Sequence, residues 1–408
     1  MSYAIKPDQL LVEAGQKPLT HQSVIIQDGK IIGVKAGFIG AASYGKNAQV
    51  IDLSNAFVMP GLMDMHVHLQ GQLGPKNDSE TLRMSDADIA MRSVYFAHKT
   101  LLAGFTTVRD LGSKPEQMHA LRDAINKQYI TGPRIISATI VGPTGGHMDV
   151  SGMNPELLDL YTPKTVCDGP YECRKATRRA IKFGADWIKI ASTGGVLTDN
   201  NTGTGLQMDT DELNEIVKTA HMLGVKVASH AHAAAGINAA LRAGVDSIEH
   251  GSYVDDEGIA LLKKTGAYLI PTLLAGDTVV QLAKHSDFMT APIKAKALRV
   301  GSDMMKHFAK AYKAGVKVAY GTDSGVSHHG DNAKEAVLMH EAGMTNSDIL
   351  KAATVNAADL IGYSAKLGTI TAGKFADIIA MKNNPLTSID ALLKVGFVMK
   401  SGEIVKHF

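Results

Sequence analysis

Eight short apolar runs alternate with amphipathic helical stretches through the middle of the chain, from about residue 57 to about residue 367. No other feature narrows the fold so far, because strands separated by helices return to the same end of a sheet and pair in parallel. The runs end near His66, Asp110, Ile140, Ile190, His230, His250, Thr272 and Asp323. Helix-like segments lie between them, among them Asp86 to Ala103, Tyr171 to Phe183, Asp209 to Leu223, Asp255 to Thr265 and Pro292 to Ala314. Most close on a glycine suited to a C-cap, such as Gly104, Gly184, Gly224 or Gly315. Eight such units predict an α/β fold, a closed (β/α)8 TIM barrel, with a doubly wound open sheet as the lesser alternative.

The two ends of the chain have a different texture. Residues 1–56 alternate short apolar runs with turn signals, and Asp28-Gly29 between two β-rich runs reads as a hairpin in a small antiparallel sheet. Similar runs return at Ala376–Met381 and Val395–Val405. The expected organisation is therefore a barrel domain over 57–367 and one accessory β-sandwich domain built from 1–56 together with 368–408.

Composition excludes several functional classes. With 45% hydrophobic and 20% charged residues and a net charge of +2, the chain has no electrostatic footprint for nucleic acid or for an anionic membrane surface. The first residues lack a basic stretch followed by an apolar one, and no run of about 18 apolar residues occurs, so a cytoplasmic location is expected. A chain with its own large core has little need of a covalent staple, and Cys167 and Cys173 are read as two reduced thiols.

The chemistry starts at Asp64-Met65-His66-Val67-His68. A strand sends residues i and i+2 to one face, so His66 and His68 can aim both imidazoles at one divalent ion. A lone His-x-His occurs often by chance. Here it recurs in kind, with Lys189 on the fourth run, His230 on the fifth, His250 on the sixth and Asp323 on the eighth. In a barrel these strand ends share one mouth. Four imidazoles and a carboxylate suit Zn²⁺ and exceed what a single tetrahedral ion needs. A pair of ions about 3.5 to 4 Å apart requires a bridging anion, which Lys189 supplies only as N6-carboxylysine, since a buried ammonium facing two cations is penalised twice.

These motifs resemble the amidohydrolase superfamily, in the branch that includes imidazolonepropionase-like proteins and binuclear Xaa-Pro dipeptidases. The likeness runs from Val58–His68 through Ser229-His230-Ala231-His232 and Ser247–Ser252 to Gly321-Thr322-Asp323, and on to Leu367–Asp377. It implies that His66, His68 and Asp323 hold the more buried metal and His230 and His250 the more exposed one, with carboxylated Lys189 between them beside a hydroxide. Asp323 would then accept the proton of that nucleophile and deliver it to the departing amine. The resemblance also implies a homo-oligomer.

Other residues are weighed as contacts to substrate. His147, on the glycine-rich loop after the third run, can bond a carbonyl or carboxylate; His232 reads as a substrate or supporting group rather than a ligand, and Tyr253 as a partner for a substrate carboxylate. Arg109 and Asp110 read as a structural pair lining the mouth, Thr193-Gly194-Gly195 as a flexible turn over the site, and His328 and His329 as residues of an exposed loop without a role.

The expected activity is metal-dependent cleavage of the amide bond of a dipeptide or an N-acyl amino acid, with L-Xaa-L-Pro dipeptides the first choice. A cyclic amide or lactone hydrolase of the imidazolonepropionase type is the alternative, opposed by Lys189. Organophosphate hydrolysis is at most a side activity, and a non-catalytic metal-binding barrel is opposed by the presence of all six candidate ligands.

Overall fold

A computed structural model describes residues 2–40, 48–150, 152–198 and 203–408. Seven strands pair in parallel in the order of the sequence: β1 (Leu62–Val67), β2 (Phe105–Asp110), β3 (Arg134–Ile140), β4 (Trp187–Ala191), β5 (Lys226–Ala231), β6 (Ser247–His250) and β7 (Tyr268–Ile270). The eighth run is not a regular strand. Residues 316–324 nevertheless lie between β7 and β1, with Leu269 N–H donating to Lys317 O at 2.9 Å and Met65 N–H donating to Tyr320 O at 2.8 Å. The segment is pinched as it passes: a Cβ on Gly321 would stand 2.3 Å from Ile270 Cγ2 and 3.1 Å from His66 Cβ, so only glycine fits.

The helices follow their expected stretches closely, with Asp86–Leu102, Gly169–Lys182, Thr210–Met222, Asp256–Thr265 and Ala291–Lys313. Their starts have a local cause. Ser85 and Asp209 cap through reciprocal bonds with Asp88 and Glu212, and Asp255 accepts from Gly258 N–H. A further helix, Leu273–His285, precedes Ala291–Lys313, so a helix pair separates β7 from the last barrel segment.

Strand alternation sets which side chains face the mouth. On β4, Ile188 and Ile190 join the apolar layer under the helices, whereas Trp187 packs with Ala228, Tyr268 and Ile270 in a separate cluster. Lys189 shares the face of Trp187, and on β5 His230 shares the face of Ala228. A lysine among isoleucines thus turns away from the helices.

The terminal segments form one hydrogen-bonded sheet of eight strands, in which Gln49–Pro60 pairs with Ile378–Met381 on one side and Ser2–Leu10 on the other. The second of these pairings is parallel, which corrects the all-antiparallel expectation. Between these two strands in sequence, Gln22–Gln27 and Lys30–Ala36 pair antiparallel in turn on the other edge of Ser2–Leu10. The expected hairpin is present, with φ of 48° at Asp28 and 77° at Gly29, both in the left-handed region that a tight turn of this kind requires.

The cysteine expectation is overturned. Cys167 and Cys173 are joined in a disulfide with Cα atoms 5.0 Å apart. Their spacing brings the loop before helix Gly169–Lys182 against its first turns, where both side chains are buried and within the span a disulfide bridges. Among the described residues no helix is long and apolar enough to cross a membrane.

Candidate active site

The six candidate ligands converge. His66, His68, Lys189, His230, His250 and Asp323, from five different barrel segments, line a single cavity of about 310 Å³ at the barrel mouth, joined there by His147 and His232. Three of the strand-end positions have a left-handed backbone: His250 at φ 70°, Thr272 at 49° and Asp323 at 56°. Non-glycine residues are held there only when their surroundings fix them, as they do at functional sites.

Two trios can be distinguished within the cluster. The donor atoms of His66, His68 and Asp323 lie within 4.8 Å of one another, and so do those of His230, His232 and His250. Four of these histidines have one ring nitrogen engaged elsewhere. His66 Nδ1 lies 2.9 Å from Glu249 Oε2, His250 Nδ1 2.7 Å from Thr272 Oγ1, His232 Nδ1 2.7 Å from Ser252 Oγ, and His230 Nε2 3.2 Å from Gly194 O. Glu249 and Gly194 O can only accept, so His66 donates from Nδ1 and His230 from Nε2, while the Thr272 and Ser252 hydroxyls orient the rings of His250 and His232.

Electrostatics point the same way. Burial, reinforced by Lys189, pushes His66 down to about 4, and burial drives His230 and His250 well below the ordinary imidazole value. His232 falls to about 3 through burial and its imidazole neighbour His147. Neutral imidazoles are what a Lewis acid binds. Burial likewise lowers Lys189 to about 8, and its Nζ makes no hydrogen bond among the described residues. An amine so depressed has an accessible neutral form, the form that reacts with CO₂.

Asp323 gives the sharpest test of fit to a metal. Its Oδ1 stands between two ring nitrogens, 3.4 Å from His66 Nε2 and 3.0 Å from His68 Nε2. Burial favours its neutral form, but His66, His68 and His250 outweigh that effect and hold the carboxyl well below its usual range. A buried carboxylate oxygen set between two ring nitrogens matches the donor set of a divalent ion.

The other expectations fare unevenly. His147 borders the cavity, its ring 4.2 Å from that of His230 and its Nδ1 2.5 Å from Thr198 Oγ1. His232 lies beside His230 and His250, with ring centroids 4.6 and 4.9 Å from theirs, and belongs to the second trio. Tyr253 is not among the residues lining the cavity; its ring packs edge-on against His307. Thr193–Gly195 is a buried turn, with Thr193 Oγ1 accepting from His232 N–H at 3.0 Å.

Two corrections concern residues read as structural or as without a role. Arg109 and Asp110 are not a pair. Arg109 is wholly buried and bonds Met65 O, Ser247 Oγ and Glu249 Oε1, with its guanidinium stacked 4.4 Å from the Trp187 ring. Asp110 instead accepts from Leu69 N–H at 2.7 Å. Nor is the segment after His328 an exposed loop, because His329 and Asn332 are buried.

Asn332 donates at 2.8 Å to Asp64, which also accepts from His66 N–H at 3.1 Å and Thr322 Oγ1 at 2.7 Å. Asp64 therefore locks the end of β1 to the last barrel segment, and burial pushes its carboxyl up to about 6. Sequence reasoning missed Asp64, Glu249 and Thr272. The available signal was a carboxylate within an apolar strand, at Asp64 and at Glu249, each beside a candidate ligand.

Comparison with known proteins agrees with this arrangement. The model of the amidohydrolase family matches residues 57–405. An ochratoxinase of Aspergillus niger is 32% identical over 97% of this chain and 85% of its own length. A crystal structure of a Xaa-Pro dipeptidase with methionine bound in the active site is 37% identical with a TM-score of 0.94, covering 100% of both chains. A prolidase complexed with N-methylphosphonate-L-proline is 29% identical with a TM-score of 0.90, again over 100% of both chains.

Proposed function

The chain belongs to the amidohydrolase family, and we propose from this premise that it cleaves the amide bond of dipeptides or N-acyl amino acids, with L-Xaa-L-Pro dipeptides as the first substrates to test. The observation that carries this reading is the convergence of two donor trios on a cavity into which a buried lysine also points. In this proposal His66, His68 and Asp323 hold one ion and His230 and His250 a second, with Lys189 as N6-carboxylysine between them. Two divalent ions, Zn²⁺ on ligand type, would supply Lewis acidity and a water ionised near neutral pH.

The chain's own groups do the rest. Asp323 is ionised at neutral pH and so can take the proton of the attacking water and pass it to the nitrogen of the departing amine. His147 and His232 border the space beside His230 and are assigned to hold the substrate carbonyl. Glu249 accepts from His66 Nδ1 and so keeps it in one tautomer, and Thr272 orients the His250 ring.

We assign residues 57–367 to the catalytic barrel and 1–56 with 368–408 to one accessory unit, and we expect a homo-oligomer. The Cys167–Cys173 disulfide favours an oxidising compartment over the cytoplasm. A dipeptide library assayed with Zn²⁺ and bicarbonate tests the reaction: release of free amino acids, abolished by chelation and restored by metal, supports it. Activity that survives full metal removal overturns it, and cleavage confined to substrates without a C-terminal proline overturns the Xaa-Pro choice alone.

A further inference from the structure

The cavity extends past the imidazole cluster to a wall that the reaction itself does not use. Helices Leu273–His285 and Ala291–Lys313 cross tightly there: a Cβ on Gly301 would lie 2.3 Å from Val280 Cγ2 and 3.0 Å from Gly276 O, and one on Gly276 would lie 2.7 Å from Met304 Sδ. The crossing places Val279, Val300 and Met304 on the cavity surface, at exposures of 6%, 1% and 5%. Leu111 and Val326 also border the space. Among the described residues, every ionisable side chain that lines the cavity belongs to the histidine, lysine and aspartate cluster, and the helix wall contributes none.

We infer that this wall is a side-chain subsite, and that the substrate carries a large apolar side chain next to its scissile amide. The inference rests on the amide-hydrolase reading and narrows it. A charged side chain placed against Val279, Val300 and Met304 loses its hydration and meets no counter-charge on that wall, so its burial is unfavourable. An aliphatic or aromatic side chain gains by the same burial, in proportion to the area it removes from water. At about 310 Å³ the cavity is at the lower end of ligand sites, which suits a dipeptide or N-acyl amino acid rather than a longer peptide.

The test compares Ala-Phe, Phe-Ala, Ala-Leu and Leu-Ala with Ala-Ala and with the corresponding Glu and Lys dipeptides, on the Zn²⁺-loaded protein and on Val279→Phe and Met304→Ala. In at least one order of linkage the Phe or Leu substrate should exceed Ala-Ala by about tenfold or more in kcat/KM, with the Glu and Lys substrates below it. Val279→Phe, which fills the space, should cut the Phe-to-Ala ratio by a similar factor, and Met304→Ala should raise it. Equal kcat/KM for apolar and charged side chains, or a ratio unmoved in both variants while hydrolysis continues, overturns the inference and leaves the reaction standing.

If no dipeptide is cleaved, the reaction reading fails and the subsite is judged by binding. L-phenylalanine should then raise Tm more than L-alanine does, and less so in Val279→Phe. Equal shifts for the two amino acids overturn the subsite as well.

Discussion

His66 Nδ1 lies 2.9 Å from Glu249 Oε2 at the centre of the barrel, where both side chains are buried. The second oxygen of Glu249 receives Arg109 at 2.8 Å, so one carboxylate orients an imidazole and neutralises a guanidinium. Burial pushes the Glu249 carboxyl up, but Arg109 and His66 outweigh it and hold the group at about 2. Glu249→Gln should therefore weaken metal retention by about 10- to 100-fold, measured by equilibrium dialysis with metal analysis. Glu249→Ala leaves Arg109 buried without its partner and should cost about 3–5 kcal/mol of stability, read by denaturant unfolding. Unaltered metal retention in Glu249→Gln would show that His66 needs no such support.

Asp323→Asn keeps the shape of the side chain and removes the base. The expected outcome is a fall in kcat by a factor of about 10² to 10⁴ with an unchanged circular dichroism spectrum. A KM effect with kcat intact would instead place Asp323 in substrate binding alone.

Lys189→Ala should lower bound metal from two ions per chain towards one and remove most activity. In the parent protein, metal loading in CO₂-free buffer should lag behind loading with bicarbonate. Identical loading in both buffers would rule out carboxylation of the amine.

Glu335 lies outside the ligand cluster and has its own pH signature. It is wholly buried and accepts the N–H groups of Leu273 and Leu274, at 2.9 and 2.6 Å, at the start of the helix that carries the apolar wall. Burial pushes its carboxyl from 4.5 up to about 8, despite those two donors. The folded protein thus keeps a proton that the unfolded chain releases above about 4.5, so the folded state loses stability as pH rises between these values, by up to about 1.4 kcal/mol per pH unit. Glu335→Gln has no such proton. Its Tm deficit relative to the parent should be largest near pH 5 and shrink towards pH 8; a deficit constant with pH would contradict the raised value.

Removing the Cys167–Cys173 bond by the double serine substitution frees a short loop. The chain-entropy model gives a loss of about 2 kcal/mol, visible as a lower Tm, and thiol titration of the unreduced parent should find no free cysteine.

Most of the barrel was legible because two signals agree in it. Apolar runs such as Trp187–Ala191 and Lys226–Ala231 are short and bounded by helical periods, and Lys189 and His230 fall on the face that turns away from the helices. The candidate ligands were found for the same reason, since His66, His230 and His250 interrupt such runs. What stayed hidden depends on contacts between distant segments. Nothing local in Gly330-Asp331-Asn332 says that Asn332 will be buried against Asp64, and nothing near Arg109 says that it turns inward to Glu249 rather than outward with Asp110. The parallel pairing of Ser2–Leu10 with Gln49–Pro60 is equally non-local, set by the path of the chain between them.

Strand Gln49–Pro60 runs into β1 with Gly61 alone between them, and Gly61 N–H donates to Asp377 O at 2.9 Å. Asp377 is in turn gripped by Arg134 at 2.6 Å and by Ser401 N–H at 2.8 Å. Residues translated long after His66 and His68 thus clamp the base of the strand that displays them. During synthesis that strand emerges without its brace, and a truncation or tag that disturbs the final hairpin will be felt at the opposite end of β1.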